Sequence, residues 1–103
     1  MYADRAIPRT DTMNDEWDEI SFVIRSQYRV AVLERLMSGP ATPSTIASEA
    51  DISISHVSRA LSKLREKELV ELLVSEDQKK GRVYGITEKG EQVWQRIETE
   101  GMV

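Results

Sequence analysis

The apolar positions between Thr42 and Lys67 fall on two helical periods separated by a tight turn. In the second, Ser53 is suited to cap a helix, because its hydroxyl can accept a backbone N–H of the first turn. Ile54, Val57, Leu61 and Leu64 then recur as one apolar stripe on a 3.6-residue period. The opposite side carries Ser55, His56, Arg59, Ser62 and Lys63: short hydroxyls, an imidazole and long cations. In the first, Thr42 is the expected cap and Pro43 fits the first helical position, where its missing N–H had no partner. Ser44 and Thr45 continue that turn, and Ile46, Ala47 and Ala50 give a low-bulk inner face. Small residues there allow two helices to cross closely at a steep angle. Asp51-Ile52 is the expected turn, with Asp51 left-handed and Ile52 filling the gap between the helices.

The flanking stretches supply the rest of an α+β, mostly α architecture. Residues 1–14 have no period and read as a mobile tail, ahead of a single domain over 15–103. Asp15 to Ile24 reads as a short helix with acids at its positive end and Trp17, Ile20, Val23 and Ile24 on one face. Ser26 caps a second helix that Gly39-Pro40 stops. After the helix pair, Glu68 to Val74 is rich in Leu and Val and short enough for a strand; Ser75 to Gly81 is a polar loop; Arg82 to Ile86 is the return strand. Thr87 caps the last helix, in which Gly90 allows close approach of a neighbour. Val93, Trp94 and Ile97 form an apolar strip there. Together with Trp17 and Ile20 they are the expected dimer contact, since exposed aromatic patches usually mark interfaces.

Composition narrows the function classes. No apolar run approaches the ~20 residues of a membrane span, so a cytoplasmic location is expected, and no secretory leader is visible. With no cysteine and one histidine, neither a disulfide nor a metal or other cofactor site is expected. No glycine-rich phosphate loop or convergent carboxylate pair points to an enzyme. The net charge of −4 is unevenly distributed: residues 1–24 hold six acids and two bases, whereas residues 53–67 hold four bases and one acid. A local positive footprint is what phosphate binding needs.

The stretches SQYRVAVLERL, GPATPSTIASEADISISHVSRALSKLREKELVELL and KKGRVYGITEKG, roughly Ser26 to Gly90, resemble winged helix-turn-helix transcription regulators of bacteria and archaea, in the broad group that includes the ArsR-like and MarR-like families. The flavour is closest to small archaeal regulators. The resemblance implies a three-helix core, a two-stranded β-wing and a C-terminal helix. It also implies a homodimer that places two recognition helices in successive major grooves of double-stranded DNA. Carried over to this chain, Ser53, Ser55, His56, Arg59, Ser62 and Lys63 match recognition-helix surface positions, joined by Thr42 and Ser44; Lys79, Lys80 and Arg82 match the wing. The cysteine and histidine ligands of ArsR-like metal sensors are absent. The alternative is a winged helix used for protein contact within a transcription complex, which the acidic balance and two tryptophans also fit.

Overall fold

The computed structural model describes residues 16–75, 77 and 81–102. Helix α1 covers residues 16–24. It is followed by α2 (Gln27–Leu36), α3 (Pro43–Ala50), α4 (Ile54–Glu66), β1 (Val70–Leu72), β2 (Tyr84–Ile86) and α5 (Glu88–Thr99). The expected mobile tail, residues 1–14, and Asp15 lie outside the described residues.

One local device starts four of these helices. Ser26, Thr42, Ser53 and Thr87 each stand in extended backbone, and each side-chain oxygen accepts the N–H of the third residue on. A hydroxyl at that place satisfies one of the donors a helix leaves unpaired at its start. Three helices also close alike. After α3, Asp51 takes a left-handed conformation and Ile52 N–H reaches back to the Ala47 carbonyl. After α4, Glu68 (φ 63°) is left-handed, and the N–H groups of Glu68 and Leu69 bond Arg65 and Leu64. After α5, Gly101 (φ 68°) and Met102 do the same on Glu98 and Ile97. Whereas after α3 the N–H groups of Asp51 and Ile52 converge on the one Ala47 carbonyl, after α4 and α5 the double closure satisfies two orphan carbonyls. It also corrects one expectation: Glu68 is not the first strand residue, because the backbone reversal that ends α4 needs it.

The hairpin is shorter than the sequence suggests. β1 and β2 pair antiparallel with Val70 opposite Ile86, Glu71 opposite Gly85 and Leu72 opposite Tyr84. Beyond this register a Leu73 N–H to Val83 carbonyl bond continues the ladder by one step, with Leu73 itself half-exposed. The ladder also has an unexpected third member. Ala41 exchanges both backbone hydrogen bonds with Tyr84, at 3.0 and 2.9 Å. That bridge fastens the start of α3 to the root of the wing.

A single apolar core joins all the elements. α2, α3 and α4 pack on one another, α4 continues into β1, and α5 lies against α2 and β2. Leu33 and Leu36 of α2, Ile46 of α3, and Val57, Leu61 and Leu64 of α4 are sealed from solvent. Ile20 and Val23 bring α1 into the same core, and Glu16–Arg96 (3.0 Å) and Glu19–Lys89 (2.5 Å) ion pairs pin α1 to α5. The dimer-contact expectation is corrected for four of its five residues. Ile20, Val93, Trp94 and Ile97 are 0–3% exposed within one copy of the chain, because the inner face of α5 closes the monomer's own core. Only Trp17 keeps an outward surface, at 37% exposure.

Gly90 explains how closely α5 seats. Thr87 donates its hydroxyl to the Glu68 carbonyl (2.7 Å) and its N–H to the Leu69 carbonyl (3.1 Å), tying the start of α5 to the end of α4. A Cβ at Gly90 would collide with the Leu69 carbonyl and stand 2.7 Å from Ile86 Cγ1. A mid-helix glycine ordinarily disfavours a helix by about 1 kcal/mol relative to alanine. Here the sign reverses. Gly90→Ala is expected to destabilise the fold by about 2–3 kcal/mol through overpacking, read by chemical denaturation; a gain in stability would contradict the contact.

Candidate nucleic-acid interface

The orientation of α4 follows from its stripe. Val57, Ala60, Leu61 and Leu64 face the core, which turns Ser55, Ser58, Arg59, Ser62 and Lys63 outward. Ser55, Arg59, Ser62 and Lys63 are therefore exposed, as the sequence suggests. Ile54 corrects the stripe: expected in the core, it is 50% exposed, because the first turn of α4 reaches past the packed body of the protein. Ser58, which the stripe left unassigned, is exposed between Ile54 and Ser62 on the same side.

On one flank, α4 borders an open groove of about 540 Å³. Thr42, Pro43 and Ser44 from the start of α3 form one wall, Ile54, Ser58 and Ser62 form the floor, and Gly81, Arg82 and Tyr84 from the wing close the other side. The Ala41–Tyr84 bridge sets the spacing of these walls. Thr42, Ser44, Ser62 and Arg82, all singled out in the sequence, are thus brought together. Ile54 and Ser58 were missed. An i, i+4 spacing from Ile54 through Ser58 to Ser62 could have shown them as one row.

Three expected contact residues have local duties. The Thr42 hydroxyl accepts from Thr45 N–H (3.2 Å) and donates to the Thr45 hydroxyl (3.0 Å). The Ser53 hydroxyl accepts from His56 N–H and lies 3.0 Å from His56 Nδ1. The His56 ring stacks on Tyr28 of α2, with centroids 4.1 Å apart and planes 5° from parallel. Ser53 and His56 therefore build the start of α4 and its seat on α2 rather than projecting freely. Lys79 and Lys80 lie outside the described residues; Arg82 is the described cation of the wing.

The outward face is weakly neutralised. The described residues give Arg59 no carboxylate partner, and Lys63 meets only Glu66 at 4.0 Å, both largely exposed. An exposed pair of that kind contributes at most a few tenths of a kcal/mol. Glu16 and Glu19 of α1, by contrast, are engaged with α5. What the outward face of α4 presents is a row of short hydroxyls beside Arg59 and the exposed Lys63. That chemistry suits a polyanion with hydrogen-bonding edges. Among the described residues no helix is long and apolar enough to cross a membrane.

Comparison with known proteins agrees with this geometry. ZitR from Lactococcus lactis, described as a zinc-responsive MarR family member, is 28% identical in one mutant structure; the match covers 72% of this chain and 51% of that one, with a TM-score of 0.64. The MarR family transcription regulator SP03579 is 21% identical over 98% of this chain and 67% of its own, with a TM-score of 0.68. NMB1585, a MarR family regulator from Neisseria meningitidis, is 19% identical over 99% and 73%, with a TM-score of 0.65. These likenesses establish a shared winged-helix fold. The chain spans about half the length of the ZitR structure at 28% identity and of others like it. No curated protein matches the sequence significantly. The family described as HVO_A0261 N-terminal domain matches residues 17–100, and with most of its length inside that match the chain belongs to this family.

Proposed function

We propose that this chain is a DNA-binding transcriptional regulator that inserts α4 into the major groove as a homodimer. The observation that carries the reading is the outward row of Ser55, Ser58, Arg59, Ser62 and Lys63, flanked by the groove that ends at Arg82. Short hydroxyls let a helix backbone come near base edges, and arginine can grip the O6 and N7 of a guanine or a phosphate. Arg59 is the base-reading or phosphate-gripping residue, with Ser55, Ser58 and Ser62 beside it. Ser44 and Arg82 hold the backbone on the groove side, and Lys79 and Lys80 extend that grip along the wing. Kinship with MarR-family folds supports the same reading. Two copies about a two-fold axis would read half-sites about one helical turn apart. Catalysis has no part in this reading.

A protein-contact role within a transcription complex is the second reading. The net charge of −4 and the exposed Trp17 and Ile24 of α1 favour it. Fluorescence anisotropy with random duplex DNA separates the two. Binding that weakens steeply with salt supports the DNA reading, and no binding at low salt supports the other.

Two substitutions divide contact from scaffold. Arg59→Ala is expected to weaken binding to a selected DNA site by about 1–3 kcal/mol with the unfolding midpoint unchanged. Ser53→Ala is expected to cost about 1 kcal/mol of stability through loss of the α4 cap, seen in thermal unfolding. Unaltered DNA affinity in the Arg59 variant would remove that side chain from the interface.

A further inference from the structure

The second flank of α4 carries a cationic recess of its own. Ser26 and Arg29 of α2 and His56, Arg59, Ala60 and Lys63 of α4 line a small depression of about 110 Å³. Arg29 is held there by two contacts on one residue. Its Nη1 donates to the Phe22 carbonyl at 2.7 Å, and its guanidinium carbon lies 3.9 Å above the Phe22 ring. Neither partner neutralises its charge. A guanidinium has five N–H donors, and the described residues give its other side-chain donors no acceptor. Lys67 approaches the same ring at 5.3 Å but borders the acid-lined pocket of Glu16, Asp18 and Glu19, so it is set apart from the recess. Arg29, Arg59 and Lys63 thus face one recess, and among the described residues its one carboxylate contact is the 4.0 Å approach of Glu66 to Lys63.

A helix lying in a major groove roughly 12 Å wide has a sugar–phosphate strand on each side. The groove with Ser44 and Arg82 accounts for the strand on the wing side. We infer that Arg29, fixed by Phe22, is a phosphate clamp for the opposite strand, acting with Lys63. This deepens the DNA-binding reading and rests on it. Positioning by an aromatic ring and a carbonyl leaves the guanidinium preordered, so little side-chain freedom is lost when a phosphate arrives. The contact is independent of base sequence, since phosphates carry none.

The test is a salt titration of DNA binding by the full chain, with one specific and one random duplex. Arg29→Gln is expected to lower affinity about tenfold for both duplexes and to reduce the slope of log K against log salt by about 0.9, the signature of one lost phosphate contact. Phe22→Leu keeps every charge. It is expected to lower affinity severalfold while retaining the full slope, and it decides the matter if Arg29→Gln does not fold. An unchanged slope in a folded Arg29→Gln variant, or an unchanged affinity in Phe22→Leu, overturns the clamp and leaves the DNA reading standing. Failure of the unaltered chain to bind either duplex overturns both.

Discussion

The burial of Val57, Leu61 and Leu64 is the constraint on which the rest of the structure depends. These three side chains fix the rotation of α4 about its own axis. With them inserted between α2 and α3, the hydroxyls and cations of the opposite side have only solvent to face. Rotating α4 to hide Arg59 would expose at least two large apolar side chains, each worth about 1.5–3 kcal/mol of burial. The outward placing of the hydroxyls and cations of α4 is thus a by-product of core packing.

The ends of α4 are fixed as firmly as its rotation. Ser53 and the His56–Tyr28 stack seat its start on α2. The Glu68–Leu69 reversal seats its end, and Thr87 and Gly90 bring α5 onto that same reversal. The Ala41–Tyr84 bridge then sets the wing against the start of α3. Each junction joins two elements that line the groove or support its walls. Charge follows the same division. Glu16 and Glu19 of α1 are matched by Arg96 and Lys89 of α5, away from the outward face of α4 that carries Arg59 and Lys63.

Much of this was legible in the sequence because it is local. Ser26, Thr42, Ser53 and Thr87 act through bonds spanning three residues, and Asp51 adopts the left-handed turn that its short side chain tolerates. A glycine inside α5 signalled a close approach, and Leu69 supplies it. The illegible parts depend on what lies across from a residue. Periodicity places Trp94 and Ile97 on an apolar face but does not say whether the cover is the same chain or another; the monomer covers them. Ile54 fits the period of its stripe, yet the body of the protein ends before it does. Ser53 and His56 have interface chemistry, yet each finds a partner within three residues or across α2. Glu68 looks like strand and is needed as turn, because the termination of α4 outranks an early start to a three-residue strand.

The most direct test is nuclear magnetic resonance mapping of the backbone amides during titration with duplex DNA. Perturbations centred on Ser55, Ser58, Arg59 and Ser62, and extending to Ser44 and to Gly81 and Arg82, are the predicted result. Perturbations confined to the outer surfaces of α1 and α5, around Trp17 and Ile24, with α4 silent, would contradict it.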